Sequence, residues 1–136
     1  MPQITFEPFT YKGKTFLGKI FRPYLHLLLY SKARKAWQPV EMLVDTGADY
    51  TLLPKRYAQI LGIDLTSDCR TEITFGVGGT ETVYQYKALS IKIGTWATKI
   101  PVGFLKRDDF PPVLGRLECL EAIELIMRDF KTILNS

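Results

Sequence analysis

Histidine is nearly absent from this sequence: His26 stands alone, inside the apolar run Leu25-His26-Leu27-Leu28-Leu29-Tyr30. In such a run it reads first as a strand residue, so a Ser-His or Cys-His hydrolase has little to build on. Cysteine is scarce as well. Cys69 and Cys119 lie 50 positions apart with no Cys-x-x-Cys, which leaves no zinc set and no expected metal or cofactor. Reduced thiols in a cytosolic protein are the default reading, with a single disulfide as the other option. No apolar stretch reaches the roughly 18 residues that a spanning helix needs. The first ten residues, with Pro2 and Pro8, lack the basic-then-apolar order of a secretory signal. A cytoplasmic setting with no membrane partner is expected. Long runs of like charge are missing too. Lys32, Arg34 and Lys35, Lys55 and Arg56, and Lys106 and Arg107 are scattered, so the net charge of +4 reads as a solvated surface and not as a nucleic-acid face.

What is present is a globular composition, 46% hydrophobic and 24% charged, in 136 residues without linker, repeat or low-complexity tract. That is one domain, residues 1–136, large enough to bury a core unaided. The pattern is mostly β. Thr15 to Phe21 and Tyr24 to Ser31 are rich in aromatic and branched residues, broken by Arg22-Pro23. Lys32 to Ala36 reads as a charged hairpin loop, and Val40 to Val44 as a strand running straight into Asp45. Pro54 opens a short helix over Lys55 to Leu61 that Gly62 stops. Arg70 to Phe75 and Glu81 to Ile93 flank Gly76-Val77-Gly78-Gly79-Thr80, a glycine-rich hairpin spanning about 70–93. Ala97 to Leu105 is a further strand, and Lys106 to Pro112 a charged loop. After Val113-Leu114-Gly115, a second short helix is expected from about Arg116 to Ala122. Leu117, Leu120 and Ile123 recur at helical spacing, so it could run longer. Ile123 to Met127 and Thr132 to Leu134 could close the chain as a hairpin. The expected architecture is an all-β, closed or folded-over barrel with one or two short helices.

The chemistry concentrates at Asp45. An aspartate at the end of an apolar strand, followed by Thr46 and Gly47, suits a carboxylate that must be held rigidly. Gly47 lets backbone approach the carboxylate, and Thr46 offers a compact hydroxyl. The bare triplet arises by chance in about one chain in fifty of this length, and by itself fits an ordinary turn with an Asp side chain on its own backbone. Gly76 to Gly79 alone fits a flexible hairpin, and Val113 to Arg116 alone fits a buried strand entering a helix.

The string Leu43-Val44-Asp45-Thr46-Gly47-Ala48-Asp49-Tyr50-Thr51-Leu52-Leu53-Pro54 resembles the retroviral-type aspartic proteases, the retropepsins and their cellular and prokaryotic relatives. Two further matches follow in the family's order: Gly76-Val77-Gly78-Gly79, similar to its flap tip, and Val113-Leu114-Gly115-Arg116, similar to its apolar-apolar-Gly-Arg element. Together they cover most of residues 40 to 122. The resemblance implies an acid-protease barrel of the retropepsin type. It implies Asp45, Thr46 and Gly47 as catalytic, and Ala48, Asp49, Gly76, Val77, Gly78, Gly79 and Val113 as contacts for an extended peptide. It further implies that Asp49 forms an ion pair with Arg116, here expected to be bidentate and partly buried, and does not join Asp45 in the chemistry.

Peptide hydrolysis by water needs a base for the water and an acid for the carbonyl oxygen. Two carboxylates a few ångströms apart can share one proton and fill both roles. The chain holds one Asp-Thr-Gly and no Asp-Ser-Gly, so a two-fold homodimer pairing two copies of Asp45 is the economical arrangement. Thr46 would then bond across the axis. Ala48 has no hydroxyl to offer a carboxylate, so a weakly acidic to near-neutral optimum is expected. Departures from the family are visible at both ends: 44 residues precede Asp45 and 20 follow Arg116, whereas compact viral members begin shortly before the catalytic strand. The competing readings are a dimeric peptide-binding module of the same fold that no longer cuts, and a basic barrel binding nucleic acid through Tyr84, Tyr86 and Lys87.

Overall fold

The computed structural model describes residues 2–76 and 78–136. Twelve strands and one α-helix are described: β1 (Gln3–Pro8), β2 (Thr10–Thr15), β3 (Gly18–Arg22), β4 (Tyr24–Ser31), β5 (Ala36–Val44), β6 (Thr51–Leu53), α1 (Arg56–Leu61), β7 (Arg70–Gly76), β8 (Gly79–Ile93), β9 (Trp96–Leu105), β10 (Val113–Leu114), β11 (Glu124–Arg128) and β12 (Lys131–Asn135). No helix among the described residues is long and apolar enough to cross a membrane.

Seven strands run β4-β5-β10-β6-β9-β8-β7, and β8 also pairs with β4 through Leu28↔Lys92 and Leu29↔Ile91. That extra pairing bends the sheet into a partly closed ring, with β7 left outside it on β8. The length of β8 makes this possible. Its first half pairs with β7, its last residues reach β4, and a bulge between Tyr86 and Leu89 turns the strand between the two tasks. Alternation on β4, β5 and β8 sends Leu25, Leu27, Leu29, Val40, Met42, Val44, Leu89, Ile91 and Ile93 inward. Phe104, Ile100, Leu53, Leu61 and Leu114 complete a single core. Helix α1 stops at Gly62, whose φ of 76° is left-handed and whose N–H caps the last turn; a Cβ there would sit 2.7 Å from the backbone nitrogen of Ala33.

The ends of the chain differ from the sequence expectation. The run Thr15 to Phe21 is not one strand: the chain turns at Phe16 and Leu17, and Gly18 takes a φ of +127° that side-chain-bearing residues rarely adopt. Aromatic and branched content signalled a strand, whereas turn chemistry from Thr15 and Gly18 decided the local path. The first fifteen residues contribute β1 and β2, which their mixed composition did not announce. The helix expected from about Arg116 to Ala122 is a series of turns ending in a short 3-10 turn, Leu120–Ala122, with Glu118 at a φ of 52°. The closing hairpin forms as β11 and β12, and β1 joins it to make the sheet β1-β12-β11.

A polar clamp ties β1 to the barrel. Glu7 accepts the His26 backbone N–H at 2.8 Å and lies 2.5 Å from the ring Nδ1, while Nε2 lies 3.0 Å from Glu41. Both ring nitrogens thus face carboxylates, which suits the doubly protonated ring. The bond to Glu7 raises the His26 pKa above its ordinary value, with the charges of Glu7 and Glu41 adding to it. A raised folded-state pKa stabilises fully below about pH 6.5, the unfolded value, and that stability fades as pH rises through the folded value. Thermal unfolding is therefore expected to show extra stability near pH 6 relative to pH 8. The side chain is 69% exposed, so the effect is small. His26→Gln should narrow the gap; an identical gap in the variant would remove the clamp's role.

Candidate active site

Strand β5 delivers Asp45 between fixed points. Val44 is buried and the Asp45 N–H donates to the Leu114 carbonyl at 3.0 Å, because β5 and β10 run parallel with Val44 opposite Leu114. The next residues fold back on the carboxylate. Gly47 N–H donates to Asp45 Oδ1 at 2.9 Å, and Ala48 N–H to the Asp45 carbonyl at 3.2 Å. A Cβ on Gly47 would stand 3.2 Å from that same Oδ1, so glycine is what lets the N–H approach. Asp45 is half-buried, while Thr46 and Gly47 are exposed.

The segment Gly115-Arg116-Leu117 stitches this loop from behind. Arg116 N–H donates to the Ala48 carbonyl at 3.1 Å and Leu117 N–H to the Asp49 carbonyl at 2.9 Å. The Arg116 side chain donates through Nη1 to the Thr46 carbonyl at 3.0 Å, through Nη2 to Asp49 Oδ1 at 2.9 Å, and through Nε to Glu121 at 3.2 Å. The pair with Asp49 is thus a single bond at an accessible site, with the Asp49 side chain 83% exposed, and not the partly buried bidentate pair expected. The guanidinium divides its donors among three acceptors, one of them a backbone carbonyl that no sequence pattern reveals. Gly115 is packed tighter still. Its N–H donates to the buried Thr51 Oγ1 at 3.1 Å, and a Cβ there would lie 2.3 Å from the Tyr50 carbonyl carbon.

Above the loop rises the β7–β8 hairpin. Gly78 sits in its turn and Gly79 has a φ of 116°; Val77 lies outside the described residues. Phe75 and Ile73 on β7 are 83% and 66% exposed. Gly47, Asp49 and Tyr50 on one side and Thr74 and Phe75 on the other enclose a cleft of about 210 Å³. Val113 is half-buried, opposite Leu43 and Leu52, and lies outside that lining. A larger hollow of about 310 Å³ opens on the far side of Tyr50, toward Arg70, Tyr86 and Lys87. Of these two, the smaller is bordered by Gly47 and Asp49, which follow Asp45 in the chain; Asp45 itself does not line it. Tyr50 is the shared wall, its Oη accepting from Gln85 Nε2 of β8 at 3.2 Å. Arg107, 2.7 Å from Glu81, ties the start of β8, just past the hairpin tip, to the loop after β9. Tyr50, Gln85, Glu121 and Thr51 are site residues that sequence reading passed over. The Thr and Gln carry no local signal, since their partners lie 64 and 35 positions away. Cys69 and Cys119 are free thiols; burial pushes the Cys119 pKa up to about 12, leaving it inert.

Residues 32–116 match a family described as "gag-polyprotein putative aspartyl protease". The chain belongs to the retropepsin-like aspartic proteases. The matched segment runs from the β4–β5 turn to Arg116, so it contains Asp45, the glycine-rich hairpin and the Gly115-Arg116 element of this retropepsin-like chain. The crystal structure of a retropepsin-like aspartic protease from Rickettsia conorii aligns with 96% of this chain and 97% of that one, with a TM-score of 0.65 and 23% sequence identity. At that identity the likeness speaks for the fold. It extends past the matched segment to both ends. No curated protein matches the chain.

Proposed function

We propose that two copies of this chain face their Asp45 carboxylates across a two-fold axis and hydrolyse peptide bonds by activating a shared water. The single observation carrying this reading is the half-buried Asp45 carboxylate, held at 2.9 Å by the N–H of Gly47, a residue that lines the cleft under the β7–β8 hairpin. With two carboxylates close together, one is charged and takes the water's proton while the other is protonated and donates to the carbonyl oxygen. The exposed Thr46 hydroxyls would bond across the axis, and an extended peptide would lie between Gly47 and Ala48 below and the Gly76–Gly79 tip above. Val113 would border the side-chain pockets. Opening of the glycine-rich hairpin would admit substrate. The free thiols fit a reducing, cytoplasmic setting.

The test compares wild type with Asp45→Asn on a peptide library, with and without a transition-state mimic such as pepstatin. Cleavage that survives in the variant would sink the dyad. Peptide binding without cleavage by either protein would leave only a binding module. Arg116→Lys probes the support. A single ammonium cannot reach three acceptors, so kcat/KM should fall by about 10- to 100-fold through misplacement of the loop. The unfolding free energy measured in urea should change by under about 1 kcal/mol, because the ion pair is accessible. A Lys variant with wild-type kcat/KM would show that the fork is dispensable.

A further inference from the structure

The β2–β3 hairpin is a two-stranded sheet of its own. Phe16 and Leu17 at its turn are 103% and 89% exposed, the barest large apolar side chains among the described residues. The tip is built to hold them out. Leu17 N–H donates to Thr15 Oγ1 and Thr15 Oγ1 donates to the Gly18 carbonyl, both at 3.1 Å. Lys12, Lys14, Lys19 and Arg22 lie on this hairpin, and no Asp or Glu occurs from Thr10 to Pro23. Its four cations therefore equal the whole net charge of +4, leaving the rest of the chain balanced. Lys14 pairs directly with Lys19 across the ribbon, a like-charge juxtaposition that destabilises it unless anions face it.

We propose that this hairpin is an arm that clasps a second copy of the chain, burying Phe16 and Leu17 against it. The inference rests on the dyad reading for the identity of the partner and on the hairpin's own residues for the contact. The arm is rooted at the catalytic strand: the Pro23 carbonyl accepts Val44 N–H at 2.9 Å, and Tyr24 lies opposite Leu43. A copy that brings its Asp45 to this one must pass within reach of a ribbon about 20 Å long. The root is braced, with Tyr11 and Phe21 rings 5.3 Å apart and Phe21 4.9 Å from Phe130 of the β11–β12 turn. Within the chain, β12 already has both edges filled by β1 and β11. Residues of complementary sign follow Arg116 in the chain, Glu118, Glu121 and Glu124, with Glu121 already on Arg116, and Leu117 and Met127 are exposed in the same stretch of sequence. An anionic bilayer would also suit a basic, apolar-tipped ribbon, but the root beside Asp45 favours a second copy.

Sedimentation equilibrium of the full chain decides this, and reads the arm whether or not peptides are cut. Phe16→Ser/Leu17→Ser is expected to raise the dimer dissociation constant on the order of 100-fold or more. Lys14→Glu/Lys19→Glu should raise it about 10-fold, with the difference shrinking in high salt. Both variants should keep the wild-type circular dichroism, since the tip touches no core. A wild type that stays monomeric, or an unchanged constant in the Ser variant, would overturn the proposal. So would co-sedimentation of wild type with phosphatidylserine vesicles that the Ser variant loses while its dimer persists.

Discussion

Asp45→Asn is expected to lower peptide cleavage by on the order of 10⁴-fold or more, while the protein stays folded and dimeric. The fold is preserved because an asparagine carbonyl oxygen can accept the Gly47 N–H that now reaches Oδ1 at 2.9 Å, and the residue's backbone remains bonded to Leu114. The chemistry is lost because a carboxamide neither accepts the water's proton nor shares one with a partner. In a two-fold assembly the substitution removes both carboxylates together, so no acid or base is left on the axis. Steady-state kinetics against a peptide cleaved by wild type, with sedimentation as a control, would measure this. Activity within about tenfold of wild type would remove Asp45 from the mechanism.

Gly115→Ala should cost about 3 kcal/mol of stability, a large share of what a domain of this kind holds. The added Cβ would meet the Tyr50 carbonyl carbon at 2.3 Å, its oxygen at 2.4 Å and the Thr51 nitrogen at 2.8 Å. All three are backbone atoms, so no rotamer relieves the overlap. Either β10 leaves β6, breaking the Gly115 N–H bond to the buried Thr51 hydroxyl, or Tyr50 moves and carries Asp49 with it. Both displace the loop that holds Asp45. Urea denaturation would show a lower midpoint at constant slope, and cleavage should fall even where the variant remains folded. A shift below about 0.5 kcal/mol would mean that the two segments are not in contact.

These two residues were legible to different degrees. Asp45 sits in a twelve-residue string whose order of strand, acid and glycine is a local pattern. The flap glycines and the Gly62 stop are local in the same sense, because a turn or a helix end is set by the backbone freedom of one or two residues. Gly115 was legible as part of a family element, but its reason was not: the contact is with Tyr50, 65 positions back in the chain. Phe16 and Leu17 show the opposite failure. Their composition suggested a strand, yet two neighbours, Thr15 and Gly18, turned the chain there.

By itself the sequence determined that this is a mostly β chain with one Asp-Thr-Gly, a glycine-tipped hairpin and an apolar-Gly-Arg element in the retropepsin order. Only the tertiary structure decided how Arg116 divides its donors among Thr46, Asp49 and Glu121. It likewise decided that Tyr50 and Gln85 join the loop to β8, and that the chain ends close on each other as β1-β12-β11. The reason is one of range. Turns, caps and alternation are fixed by neighbours within a few residues, whereas donors and acceptors far apart in sequence find each other only once the ring of strands has closed.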